Sequence, residues 1–162
     1  PYDSKFIFEE MGYNFLPTEI SAAFGLVQLK KLKKFAAIRQ SNFNSLYEFF
    51  SKIKFFKLPR QLSEVKTSWL AFPLTINENA PFSRLEIVKY LEMIGIQTRP
   101  VFTGNVLKQP AFSKINYKNL GKDYEIANYI MENSFLIGCN HGLTEKHIEK
   151  IKNAFTTFLS KY

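Results

Sequence analysis

Two residues of this chain have the type and setting for chemistry. Arg99 follows the apolar start Ile96 and precedes Pro100 and the Thr103-Gly104-Asn105 loop. A guanidinium at the end of a strand, beside a glycine-containing loop, suits bidentate binding of a carboxylate or phosphate. A surface salt bridge is the competing use of the same group. His141 lies between Asn140 and Gly142. A titrating imidazole in a tight turn can serve as acid or base. No acidic residue neighbours it in sequence, so a structural role stays open beside the chemical one. Cys139 is the only cysteine. It excludes an internal disulfide, fits a reducing compartment, and reads as a small buried residue rather than a nucleophile. No set of cysteines and histidines has metal-ligand spacing.

These residues need elements to hold them, and the hydrophobic pattern supplies a series. Pro17 and Thr18 announce a helix, with Thr18 as N-cap and Glu19 in its first turn. Ile20, Ala23, Phe24, Val27 and Leu29 then follow helical spacing. Gly25 costs helix propensity of about 1 kcal/mol relative to Ala, which points to a close helix contact there. Leu32, Phe35, Ile38, Phe43, Leu46, Phe49, Phe50 and Ile53 continue the pattern, either past a bend at residues 31–34 or as one long helix, up to Leu58-Pro59. Ser68 to Ile76 reads as a strand with Trp69 in the core. Ser83-Arg84-Leu85-Glu86 is a capping box opening a helix to about Ile94, with Gly95 past its end. Ile96 to Phe102 is a strand that Pro100 confines to an edge or ends early. A helix is expected over Asp123–Asn133 and a short strand over Ser134–Cys139. Thr144 caps a last helix with His147 on its surface and Ile148, Ile151, Phe155 and Leu159 on its apolar face. In Phe6-Ile7-Phe8 three apolar residues run together, so both faces of that segment should be covered. The order predicts an α/β sandwich of two layers, a short sheet and helices, preceded by a helical segment.

Composition narrows the classes. The chain has 162 residues, 46% hydrophobic and 22% charged, enough for one domain with its own core. No apolar run approaches the roughly 20 residues of a membrane helix. Of the 22 Lys and Arg, ten lie between Lys30 and Lys66 against two Glu, so the net charge of +8 sits in that span. Lys30, Lys31, Lys33 and Lys34 could serve a nucleic-acid surface. Without a recognition motif they read as the solvated face of a helix, with neither nucleic acid nor membrane as partner.

Four blocks, in order, carry a resemblance that covers nearly the whole chain. They are Gly12-Tyr13-Asn14-Phe15-Leu16-Pro17-Thr18-Glu19-Ile20-Ser21-Ala22-Ala23-Phe24-Gly25-Leu26-Val27-Gln28-Leu29-Lys30-Lys31-Leu32, Ser68-Trp69-Leu70-Ala71-Phe72-Pro73-Leu74, Gly95-Ile96-Gln97-Thr98-Arg99-Pro100-Val101-Phe102-Thr103-Gly104-Asn105 with Gln109-Pro110-Ala111-Phe112, and Phe135 to Thr144. Together they resemble the C-terminal part of the DegT-type nucleotide-sugar aminotransferases. The Thr-Gly-Asn and Gln-Pro-Ala-Phe elements are similar to the branch containing the CDP-sugar 3-dehydrases.

The resemblance implies the small C-terminal domain of a fold-type-I aminotransferase over residues 35–162, with residues 1–34 as the tail of the large domain and a linker helix. It implies pyridoxal phosphate or pyridoxamine phosphate as cofactor of an intact parent, with none bound to this fragment, which would be inactive alone. It implies a missing N-terminal large domain, a homodimer, a nucleotide-sugar substrate, a cytoplasmic setting and a role in surface polysaccharide (lipopolysaccharide) biosynthesis. Asn14 corresponds to an Asn that reaches the neighbouring subunit's cofactor phosphate. Its amide can donate two N–H groups to an anion, and its other reading is a turn residue. The family often has a cation two positions on, where this chain has Leu16. Arg99, Phe102, Asn105, Gln109 and His141 fall where the small domain would meet substrate. Transamination and dehydration both stay open. So does a stand-alone binding or interaction module that keeps the small-domain fold.

Overall fold

The computed structural model describes residues 12, 13, 15–102, 104–118 and 124–162. The chain divides into two units, Pro1–Lys33 and Lys34–Tyr162. In the first, helix α1 (Glu19–Phe50) begins behind Thr18, whose hydroxyl accepts from the Ser21 N–H. Ile20, Phe24 and Val27 are exposed. A side chain at Gly25 would meet nothing within 4 Å, so the close contact expected there is absent among the described residues. Residues 31–34 are helical and carry no break. The Phe6–Phe8 segment lies outside the described residues.

The second unit is a four-stranded sheet with helices. Strands β1 (Phe56–Lys57), β2 (Ala71–Ile76), β3 (Thr98–Pro100) and β4 (Ser134–Gly138) lie in the order β1-β2-β4-β3, every pair antiparallel. Strand β2 alternates as expected of a half-buried strand, with Phe72, Leu74 and Ile76 on the buried face. Pro73 is tolerated there because β1 pairs only with Thr75 and Ile76, leaving Pro73 unpaired on its outer side. Strand β3 is an edge and stops at Pro100, as the missing ladder donor requires.

Helix α1 ends at Phe50, eight residues before the Leu58-Pro59 stop read from sequence. The intervening residues make a turn, with Ile53 N–H donating to Phe50 O, and then β1, which buries Phe56. The strand expected from Ser68 starts only at Ala71. Trp69 is half-buried at the margin, stacked on Phe43 with ring centroids 4.3 Å apart, and its Nε1 donates to Gln61. The Ser83 capping box forms reciprocally: Ser83 N–H donates to Glu86 Oε2 at 2.7 Å and Glu86 N–H to Ser83 Oγ at 3.3 Å. It opens α2 (Arg84–Met93). Two 3-10 turns, Val106–Lys108 and Pro110–Phe112, occupy the loop before α3 (Glu125–Asn133). Asp123, the expected start of α3, lies outside the described residues.

Helix α4 (Glu145–Leu159) buries Ile148, Ile151 and Phe155 as its spacing demands. Leu159 packs half-buried against the core as expected, and Phe158, unnamed in the spacing, is buried beside it. The Phe158 ring meets Phe82 edge-on at 5.1 Å and Tyr90 at 5.3 Å. Phe158→Ala should therefore cost about 3–5 kcal/mol of unfolding free energy, the usual range for an aromatic core truncation. Leu159→Ala should cost clearly less. Denaturant titration of both variants checks the order, and equal losses would contradict it.

Candidate functional site

Arg99 is placed by a latch between α2 and β3. Gly95, at φ 76°, ends α2 in the left-handed region. The chain then turns back, with Ile96 N–H donating to Leu91 O at 2.8 Å. Thr98 is buried, and its hydroxyl donates to Glu92 Oε1 at 2.7 Å while its N–H donates to the same oxygen. The Thr98 hydroxyl first, then its N–H, hold the Glu92 carboxyl below the usual carboxylate range, and the Arg99 charge adds to this. One residue on, Arg99 projects to the exposed side. Its Nη1 donates to Thr98 O at 3.3 Å. With its amide turned to satisfy both partners, Gln97 accepts from Arg99 Nη2 at 2.6 Å.

Arg99 lines a cleft of about 350 Å³ between the start of β3, the end of β4 and α4. Lys150 and Asn140 reach the same cleft, over apolar walls that include Ile96, Leu136 and Ile151. The lining contains two cations and no carboxylate. That charge balance favours an anion.

The remaining sequence candidates fall into two other places. Phe102 stands exposed with φ 45°, a left-handed conformation unfavourable for a bulky residue. Gly104, at φ 63°, packs on α3 so closely that a Cβ would lie 2.9 Å from Met131 Cα, which reserves the position for glycine. Asn105 is buried, and both ends of its amide are committed: Oδ1 accepts from Leu107 N–H at 3.0 Å and Nδ2 donates to Asn128 at 2.8 Å. It builds the loop. Gln109 is half-buried between the two 3-10 turns, with its N–H on Val106 O and its carbonyl on Phe112 N–H. His141 faces α1, where Arg39 donates to its Nδ1 and Phe35 stacks on its ring. Asn14 lies outside the described residues. The structure thus gathers Arg99 with Asn140, but it does not place Phe102, Asn105, Gln109 or His141 in the lining of that cleft.

Cys139 is fully buried, and burial pushes its thiol up to about 12, so it is no nucleophile. His147 is exposed, and its Nδ1 accepts from Thr144 N–H at 3.0 Å. Among the described residues no group of three His, Cys, Asp or Glu could hold a metal, and no helix is long and apolar enough to cross a membrane. Lys150, Glu92, Arg39 and Asn42 were not singled out from sequence. The last two could have been, since Phe35, Arg39 and Asn42 recur at helical spacing on one face.

Residues 1–156 match the model of the DegT/DnrJ/EryC1/StrS aminotransferase family. The lipopolysaccharide biosynthesis protein RfbH of Salmonella typhimurium is 36% identical over 160 residues, 97% of this chain and 36% of that protein. The dTDP-4-dehydro-2,6-dideoxy-D-glucose 3-dehydratase of Saccharopolyspora spinosa is 31% identical over 99% of this chain and 34% of its own length. The fold matches that of E. coli GDP-4-keto-6-deoxy-D-mannose-3-dehydratase with bound hydrated PLP, at a TM-score of 0.82 and 27% identity, over 94% of this chain and 39% of that one. The chain spans little more than a third of the length of these relatives.

The latch makes a pH prediction. A carboxyl with a folded pKa below its ordinary 4.5 contributes stability that is complete above that value and is lost as pH falls through the folded pKa. Glu92→Gln should lower the melting temperature at neutral pH and narrow its gap to the parent below about pH 4.5. Melting curves across pH check this, and a gap constant with pH would contradict it.

Proposed function

The chain belongs to the DegT/DnrJ/EryC1/StrS aminotransferase family, and on that premise we propose that it is the C-terminal portion of an enzyme acting on nucleotide-linked keto sugars. Sugar 3-dehydration is the favoured reaction and transamination the family alternative. The observation that carries this reading is agreement in sequence and fold, over nearly the whole chain, with proteins named as GDP- and dTDP-sugar 3-dehydratases. The reading assigns the remaining length of those relatives to a preceding large domain and the product to a surface polysaccharide. The exposed stripe Ile20, Phe24 and Val27, spaced at four and three, supports a contact with that domain or with a second subunit.

Pyridoxal or pyridoxamine phosphate, when bound, supplies the electron sink for such reactions. The described residues do not compose a site for it. The cleft offers Lys150 and Arg99 but no carboxylate to pair with a pyridine nitrogen. In this reading the cofactor is held elsewhere in the parent, with Asn14 contributing to its phosphate. Arg99 is assigned to the anionic substrate. The Thr98–Glu92 latch anchors the backbone just before it, and its guanidinium is oriented by Thr98 O and Gln97, so the remaining donors are presented in a set direction. Phe102 is assigned to an apolar contact with the sugar or base, and Gln109 to the rim of the same loop.

The full-length protein tests the function directly. Incubation with pyridoxamine phosphate and GDP-, dTDP- or CDP-linked 4-keto-6-deoxy sugars should give a product lacking the 3-hydroxyl, read by mass spectrometry. Conversion of none of these sugars, by dehydration or by amine transfer, would retire the proposal. The 162-residue chain alone, mixed with pyridoxal phosphate and borohydride, should form no stoichiometric adduct at a single lysine, and such an adduct would show that the cofactor site had been misplaced.

Arg99→Ala should weaken substrate use far more than folding. Losing a charge-assisted hydrogen bond costs about 1.5–3 kcal/mol, roughly ten- to a hundred-fold in kcat/KM. A surface ion pair would cost about 0–1 kcal/mol of stability and nothing in turnover. Steady-state kinetics beside a thermal melt separate the two outcomes. Unchanged kcat/KM with a lowered melting temperature would make Arg99 a structural residue.

A further inference from the structure

The cleft that holds Arg99 also contains a glycine that the fold does not ask for. Gly138, the last residue of β4, faces Ala71 across the sheet, and both line the cleft. Its backbone is not left-handed, unlike that of Gly95 or Gly104. A Cβ there would meet Leu143 Cδ1 at 3.5 Å and Asn140 Nδ2 at 3.7 Å, both ordinary contacts. Neither backbone conformation nor crowding reserves the position for glycine. A glycine weakens the strand that carries it, and one without a structural duty commonly marks the close approach of a ligand.

The polar atoms around this opening are donors. Asn140 Oδ1 is occupied by the Gly142 N–H at 2.8 Å, which leaves the amide nitrogen on the side of Gly138. Among the described residues that nitrogen donates to no acceptor. Lys150 Nζ lies 3.7 Å from where a Cβ on Gly95 would stand, and Gly95 lines the same cleft. Among the described residues Lys150 has no acidic partner; the ion pair of α4 joins Lys152 to Glu149. Arg99 enters from β3 with donors beyond those given to Thr98 O and Gln97. Thus β3, α4 and the turn after β4 bring a guanidinium, an ammonium and an amide to one opening. One guanidinium fork already matches a planar carboxylate. Donors arriving from three elements suit a tetrahedral phosphate, whose oxygens point in several directions.

We propose that this cleft is a phosphate site in which Lys150 Nζ and the Asn140 amide act with Arg99, while Gly138 leaves the room that the phosphate occupies. The site itself stands on the geometry of the cleft. Its ligand rests on the function proposed above: the phosphate is the diphosphate bridge of the nucleotide-sugar, which carries one charge on each phosphoryl group and so one for each cation. The cleft volume of about 350 Å³ lies at the small end of ligand sites, so the bridge fits while the ends of the nucleotide-sugar extend past it. The competing use of Lys150 is local. Its ammonium lies at the C-terminal end of α2, where a cation complements the helix dipole.

The test titrates GDP, dTDP and CDP into the full-length protein by calorimetry, beside thermal melts. Lys150→Met should weaken binding of the preferred nucleoside diphosphate by about ten- to a hundred-fold, and Lys150→Arg should recover most of the loss. Asn140→Asp keeps the acceptor for the Gly142 N–H and puts a negative oxygen where the donor was, so it should weaken binding by more than about ten-fold. Gly138→Ala should melt no lower than the parent and yet bind more weakly. A parent that binds none of the three, or Lys150→Met with parental affinity and a lowered melting temperature, would overturn the site and leave Lys150 as a helix-end cation. Lys150 is exposed, so its variants decide even if Asn140→Asp fails to fold. Parental affinity in Gly138→Ala would remove the glycine from the proposal.

Titration with pyridoxal phosphate in the same variants separates the two sources of phosphate. If the cofactor, and not the nucleotide, binds more weakly to Lys150→Met and Asn140→Asp, the assignment to substrate is overturned and the cleft belongs to the cofactor. The site and the proposed function also fail separately. A parent that binds a nucleoside diphosphate through Lys150 but converts no nucleotide sugar keeps the phosphate site and loses the function. Turnover of a nucleotide sugar by Lys150→Met with the parental KM keeps the function and overturns the site.

Discussion

One face of a four-stranded sheet must be covered, and Phe50 is where its covers meet. Its side chain is fully buried and its ring touches Phe72 on β2, Phe56 on β1 and Phe155 on α4. The contact with Phe155 is edge to face at 4.7 Å, an arrangement that fixes orientation as well as separation. Once Phe50, Leu46 and Phe43 point at the sheet, the rotation of the helix about its own axis is set. Asn42, Arg39 and Phe35 then fall against the turn after β4. A polar grip on His141 is thus a by-product of apolar packing two turns away. An Asn or Arg on a helix face costs less when a neighbouring turn supplies its partners, and here carbonyls and an imidazole nitrogen do so.

Much of this was readable in the sequence, because local rules and tertiary demands agree. The Ser83–Glu86 box, the alternation of β2, the Pro100 stop and the face of α4 each follow from one periodicity or one capping rule. Legibility failed where tertiary context decides. Strand β1 has two residues, too few to show a period, and exists because Thr75 and Ile76 offer it an edge. The end of α1 is hidden in the sequence because Ile53 continues the apolar spacing past the last helical turn, while Phe56 belongs to the sheet. Phe158 is more deeply buried than Leu159 because Phe82 and Tyr90, from elsewhere in the chain, meet its ring. Helical spacing allows either residue.

The candidate site was legible by residue type and much less by grouping. Asn105 illustrates the difference. In sequence its amide is a free donor and acceptor next to a glycine. In the fold it is buried, and both ends of the amide are used to join the 3-10 turn to α3. Gly104 has a related duty, since its left-handed backbone lies against Met131. Residues 104–112 therefore encode much of their own shape, and the family resemblance they carry reflects construction as much as recognition. Lys150 was missed for the opposite reason. A lysine on an amphipathic helix looks like any solvated charge until the fold sets it at a cleft with Arg99.

The two arginines of the second unit that border its turns differ in what is left over after folding. Arg39 gives two donors to one nitrogen and lies half-buried against α1's own partner turn. Its donors are directed into the protein, toward the turn after β4. Among the described residues Arg99 donates to a neighbouring carbonyl and to the Gln97 amide, and both orient the group. Glu92, whose carboxyl the Thr98 hydroxyl and N–H and then the Arg99 charge hold below its ordinary range, is occupied by Thr98. Holding a guanidinium in one orientation on an edge strand has a cost, because ordering a long side chain loses conformational entropy. The same fold that turns Arg39 inward leaves Arg99 on the exposed side of β3, where a bound anion would offset that cost.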